Sequence, residues 1–129
     1  MTEDRGLDFD ADMTLGQKQE LFAFLLPRLL DFIYERGYQA RLGDLFRDPR
    51  VHGYFGHSSR ISYSGPRSVH KLKIAVDINL FKNGEFLRNT EDHREIGEYW
   101  KTLHPLCRWG GDFQRPDGNH YSLFHDGYA

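Results

Sequence analysis

Apolar positions along the chain fall into runs of two different periods. Leu21, Phe22, Leu25, Leu29, Phe32 and Ile33 recur at spacings of three and four, the stripe of an amphipathic helix. Thr14 followed by Gln17 matches a capping box at its start, and Gly37 is a plausible stop. Pro27 sits inside this pattern, where it lacks an amide hydrogen and crowds the carbonyl of Ala23, so a kink or break is expected there. Ile74–Phe81 alternates instead. Ile74, Val76, Ile78 and Leu80 line one face of a strand; Ala75, Asp77, Asn79 and Phe81 line the other. Asn83-Gly84 then signals a hairpin turn, with Glu85–Arg88 pairing back.

Weaker signals fill in the rest. Tyr38–Phe46 reads as a strand with Gly43 as its weak spot. Asn89 or Thr90 can cap a second helix, about Glu91–Leu103, with Ile96, Tyr99, Trp100 and Leu103 as apolar positions. Leu106–Trp109 and His120–Phe124 read as short strands around a turn-rich loop, Gly110–Asn119. Arg47–Ser68, rich in Gly, Ser, Pro and His, is long for a connection, which points to a functional loop or a short helix. Residues 1–12 carry five acids and few large apolar side chains and read as a flexible arm before one domain, 13–129. The order of elements predicts a small α+β domain with an antiparallel sheet and flanking helices.

Composition narrows the class. With 129 residues, 39% hydrophobic and 28% charged, the chain suits one globular domain. The greasiest stretch, Leu21–Leu30, is cut by Pro27 and Arg28, so membrane insertion is not expected. The acidic start is the opposite of a signal peptide's basic one. One cysteine, Cys107, cannot form an internal disulfide and reads as a small buried residue. The net charge is −2, concentrated in the acidic arm, and the near-neutral remainder has no polybasic stripe for nucleic acid. Its mild positive balance would suit an anionic polymer such as cell wall.

Asp77 is the anomaly, a carboxylate in the middle of the best strand. It either faces solvent or needs a partner, because an unpaired buried charge is costly. His70 lies an odd number of residues earlier, so the two can converge only if His70 sits in a bend before the strand. If the last strand pairs beside Ile74–Phe81, His120 approaches Asp77 laterally. His70, Asp77 and His120 would then form a three-ligand zinc set with one position open for water. A single histidine of the seven present is more often an ordinary surface residue.

Two motifs connect these residues to a family. Ser68-Val69-His70, four residues, then Ala75-Val76-Asp77 matches Ser-x-His-x(4)-Ala-x-Asp. Trp109-Gly110-Gly111-Asp112-Phe113 followed by Asp117-Gly118-Asn119-His120 matches a second signature, with Tyr121 where phenylalanine is frequent. Together they resemble the zinc peptidases related to D-alanyl-D-alanine carboxypeptidases, and most closely the single-domain L-alanyl-D-glutamate endopeptidases of bacteriophage endolysins. The resemblance spans about residues 14–125.

What it implies is a hedgehog/DD-peptidase-like fold and one Zn2+ held by His70, Asp77 and His120. It also implies Asp117 as general base and acid, a role open to a carboxylate beside a metal-activated water. Without the family, Asp117 would read as an Asp-Gly turn residue. An oxyanion partner is expected from an arginine after an aromatic. Leu45-Phe46-Arg47-Asp48-Pro49 resembles that segment, with Leu45 where the family has glycine; Arg47 is the first choice and Arg67 the alternative. Ser68 is expected to donate a hydrogen bond that fixes a ligand or loop, and Asp112 to orient a metal histidine. Trp109 is expected in the core above a substrate role, with the double glycine packing closely beneath the site. His52, His57, His93, His104 and His125 fit no motif, and His57 is the one to watch.

The implied function is hydrolysis of the peptide stem of bacterial peptidoglycan, at the L-Ala–D-Glu bond, by a monomeric endolysin. It would collect in the cytoplasm of the producing host and reach the wall after membrane permeabilisation. A virion-borne hydrolase, a D-Ala-D-Ala carboxypeptidase or dipeptidase, and a non-catalytic metal-stabilised wall-binding domain are the alternatives.

Overall fold

A computed structural model describes residues 9–45 and 68–129. Arg47, His52, His57 and Arg67 lie outside these residues, as does most of the long connection expected over Arg47–Ser68.

Helix α1, Leu15–Glu35, begins with the expected box: the Gln17 amide donates to Thr14 Oγ1 at 3.1 Å and the Thr14 amide to Gln17 Oε1 at 2.9 Å. It ends with Gly37 at φ 85°, where Tyr38 N–H reaches the Ile33 carbonyl and Gly37 N–H that of Tyr34. The expected break at Pro27 does not occur, and the helix runs through it. Pro27 and Ala23 both face solvent, so water can satisfy the carbonyl that the proline frees. Phe22, Leu25, Leu29 and Ile33, on both sides of Pro27, are buried. Each such side chain contributes about 1.5–3 kcal/mol on burial, which together outweighs a cost of about 3 kcal/mol for the proline.

The sheet is antiparallel and has five strands: β1 (Gln39–Leu42), β2 (Ala75–Lys82), β3 (Glu85–Leu87), β4 (Cys107–Trp109) and β5 (His120–Leu123). β2 is central. One edge pairs with β1 over Ile78–Phe81, and the ladder continues past it, with Gly43 N–H to the Asp77 carbonyl (2.7 Å) and Asp77 N–H to the Asp44 carbonyl (2.8 Å). The other edge is shared. β5 takes Ala75, Val76 and Asp77, and β3 takes Leu80, Phe81 and Lys82, leaving a notch between them. β4 pairs beyond β5. Of the second predicted helix, the first turn is a 3₁₀ segment, Thr90–His93, before α2, Arg94–Leu103.

Val76, Ile78 and Leu80 are fully buried and join α1 and α2 in one core. Trp100 of α2 packs edge-on against Phe22 (5.9 Å between centroids) and donates to the Ser122 carbonyl at 3.1 Å, tying both helices to β5. Residues 9–12, the end of the expected arm, are helical, and residues 1–8 lie outside the description. The Phe9 ring meets His104 edge-on, and Asp10 pairs with Lys18, whose side chain is completely buried in α1. Among the described residues no helix is long and apolar enough to cross a membrane.

Candidate metal centre

The face of β2 opposite the core carries Asp77. Register sets His120, the first residue of β5, directly across from it, and cross-strand partners share a face. His70 arrives from a 3₁₀ turn, Val69–Leu72, closed by Lys73 at φ 62°; this is the bend that the spacing requires. Ser68 caps that turn. Its Oγ accepts from the His70 amide at 3.4 Å, so at this contact it is an acceptor rather than the expected donor.

The three side chains converge. His70 Nε2 lies 3.1 Å from Asp77 Oδ1 and 3.2 Å from His120 Nδ1, which is 3.5 Å from Asp77 Oδ1. Both imidazoles are buried and the carboxylate is nearly so. The outer ring nitrogens fix the tautomers: His70 Nδ1 faces the Leu45 carbonyl at 3.3 Å and His120 Nε2 the main-chain oxygen of Ala129, likewise an acceptor, at 3.2 Å. A carbonyl only accepts, so these nitrogens carry the hydrogens and the inner ones of the neutral rings present lone pairs. Two lone pairs and an anionic oxygen thus face one another, an arrangement that needs a positive charge among them. A tetrahedral zinc with bonds of about 2.0–2.1 Å would separate its ligands by about 3.3 Å, within the range of the three separations. The donor set fits the metal.

A family profile described as D-alanyl-D-alanine carboxypeptidase matches residues 62–123. That stretch includes His70, Asp77, Asp117 and His120. Among solved structures, an L-Ala D-Glu endopeptidase from Serratia marcescens, ChiX, is similar in fold, with a TM-score of 0.52, 18% identity and 77% of each chain covered. No curated protein matches. The chain thus resembles this peptidase family in sequence and shares an α+β fold with one L-Ala D-Glu endopeptidase.

Asp117 stands on the turn leading into β5. Its carbonyl accepts from His120 N–H at 3.1 Å, and its amide donates to the Gly110 carbonyl at 2.9 Å. The carboxylate is exposed, lines a cavity of about 230 Å³ next to Asn79 and Asn119, and takes no hydrogen bond among the described residues. Gly110 makes this approach possible: a Cβ there would lie 2.1 Å from the Asp117 carbonyl oxygen and 2.8 Å from His120 Cβ. Trp109 is a fully buried strut. It donates to the Gly118 carbonyl at 2.7 Å and lies flat against Gly97 and Gly111, where any Cβ would come within 2.3 Å of the ring.

The expectation for Asp112 is corrected. Its carboxylate pairs with Lys101 Nζ at 2.7 Å, because the 3₁₀ turn Gly110–Asp112 directs it toward α2, and backbone carbonyls take the position next to the metal histidines. Main-chain acceptors have no sequence signature, which is why the residue pattern offered Asp112 instead. His93, assigned to no motif, is buried, with Nδ1 3.2 Å from Tyr121 Oη and Nε2 3.3 Å from the Leu87 carbonyl. Burial lowers its pKa, which favours the neutral ring. Burial likewise pushes the Cys107 thiol up to about 12, as suits an inert core residue.

Proposed function

We propose that the chain is a zinc-dependent peptidase of this family that hydrolyses the peptide stem of bacterial peptidoglycan, at the L-Ala–D-Glu bond. The observation that carries the reading is the convergence of the His70 and His120 ring nitrogens and the Asp77 carboxylate, with Asp117 on the turn that leads into His120 and its carboxylate without a hydrogen bond among the described residues. When bound, the metal supplies a Lewis acid that makes water a nucleophile near neutral pH. His70, Asp77 and His120 would hold it, and the Leu45 carbonyl and the Ala129 main-chain oxygen keep the two rings turned inward. Asp117 takes the proton from water as its oxygen adds to the peptide carbonyl. It returns that proton to the leaving amine as the C–N bond breaks. Arg47, or Arg67 in its place, is the oxyanion partner that the resemblance implies; both lie outside the described residues. The fold likeness to an L-Ala D-Glu endopeptidase supports the choice of bond; the family description supports the second reading, a D-Ala-D-Ala carboxypeptidase. As a monomeric phage endolysin, the protein would collect in the host cytoplasm and act after the membrane is permeabilised.

The test is lysis of permeabilised Gram-negative cells with and without chelator, with mass analysis of the released fragments. Chelator-sensitive lysis that leaves free L-Ala carboxyl ends is expected. Release of D-Ala alone would favour the second reading, and chelator-insensitive or absent lysis would overturn both.

A further inference from the structure

The face of β2 that bears Asp77 continues past the metal site. Asn79 follows two residues on, about 7 Å along the strand. Register sets Arg41 of β1 directly opposite Asn79 on one edge. On the other edge the pairs Lys82↔Glu85, Phe81↔Phe86 and Leu80↔Leu87, carried one step further, bring Arg88 opposite Asn79. Cross-strand partners share a face, so Arg41 flanks Asn79 on the metal face about 4.8 Å away across the sheet, and Arg88, just past the end of β3, lines the same cavity as Asn79 from the other edge.

Both are exposed, and among the described residues neither has a carboxylate partner. Arg36 and Arg94, by contrast, pair with Glu95 and Glu91. Arg41 Cζ lies 4.0 Å from the Phe81 ring centroid and Arg88 Cζ 5.9 Å from that of Phe86, and the two rings touch at 5.4 Å. An aromatic contact steadies a guanidinium on this face and leaves its hydrogen-bonding fork unused. The notch between the end of β3 and the start of β5 is the cavity of about 230 Å³, lined by Asn79, Arg88, Thr90, Asp117 and Asn119 among others. Asn119 Nδ2 donates to Asn79 Oδ1 at 3.2 Å, which ties the floor together.

We propose that Arg88, with Arg41 across Asn79, forms a subsite for the free carboxylate of the substrate residue that supplies the amine of the bond that is cut. The proposal rests on the peptidase reading above. A glutamate linked through its γ-carboxyl keeps a free α-carboxylate, and a planar fork binds such a group in bidentate fashion.

The experiment compares two stem tripeptides, L-Ala-γ-D-Glu-L-Lys and its α-carboxamide counterpart, on wild type, R88Q, R41Q and R88K. Wild type is expected to prefer the acid. R88Q should lose about 10- to 100-fold in kcat/KM on the acid, mainly through KM, with little change on the amide and unchanged zinc content. R41Q should lose less, and R88K should recover part of the preference. Equal cleavage of acid and amide by wild type, or equal slowing of both by R88Q, overturns the subsite while the peptidase reading stands. Cleavage of neither peptide by wild type, with no lysis of permeabilised cells, fails the peptidase reading instead. Calorimetric titration of both peptides then decides the subsite: acid-selective binding abolished in R88Q supports it, and equal or absent binding overturns it.

Discussion

Among the described residues, two trios of metal-capable side chains each bring their ligand atoms within 4.8 Å of one another: His70, Asp77 and His120 on the sheet, and Asp10 with His125 and Asp126. By residue type they look alike. They differ in where the positive charge comes from. In the second trio the buried Lys18 ammonium pairs with Asp10 and lies 2.8 Å from His125 Nδ1, so the lone pairs there already face N–H protons. In the first, carbonyls hold both ring hydrogens on the outside and no lysine or arginine among the described residues reaches inside. Closeness of ligand types is therefore a weak criterion. Convergent ligand atoms with no lysine or arginine of the described residues among them are the stronger one.

Removing a ligand from the first trio should have the largest effect. His70→Ala is expected to take zinc from one per chain to none by elemental analysis and to abolish hydrolysis, whereas His125→Ala leaves zinc at one. Retained zinc in His70→Ala, or lost zinc in His125→Ala, would reverse the assignment.

The second trio should matter to stability instead. Lys18→Met strands Asp10, and a broken buried pair costs about 3 kcal/mol, measurable by urea unfolding. Burial raises the Asp10 carboxyl, but the hydrogen bonds from Lys18 and the Asp126 amide outweigh it, leaving its pKa below the ordinary 3.8. A lowered folded-state pKa means the stabilisation is fully present above the unfolded value and fades as pH falls through the folded one. The gap between wild type and Lys18→Met should thus stay constant near neutrality and narrow below about pH 4.

A smaller effect is expected from the carbonyl behind His120. Deleting residues 127–129 should weaken zinc binding by about 10-fold in a competition titration, through loss of the ring's anchor. Unchanged affinity would mean that Phe113, whose ring centroid lies 5.3 Å from that of His120, suffices to hold it. Asp112→Asn should do least. Its pair with Lys101 is exposed, so a change under about 1 kcal/mol and no change in zinc affinity are expected. A tenfold fall in affinity would restore Asp112 as an orienting group.

Much of the architecture was legible because periodicity reports burial. The alternation in Ile74–Phe81 separated a buried face from the one that carries Asp77, and Asn83-Gly84 located the hairpin. Pro27 misled because local cost was weighed without the buried stripe that overrides it. Asp112 misled because a carboxylate is visible in a sequence and a main-chain carbonyl is not. Lys18 was invisible for a related reason: a lysine in a helix reads as solvated until a partner from another segment covers it.

The order of residues by itself determined the amphipathic faces, the turn positions and the kinds of ligand available, since these depend on neighbours a few positions apart. Tertiary structure alone decided which nitrogens point inward, which carbonyls hold them, and which trio already contains a cation. It also decided that β3 and β5 share one edge of β2 and leave a notch lined by Arg88. Those outcomes depend on contacts between segments as far as 116 residues apart, and local propensity carries no record of them.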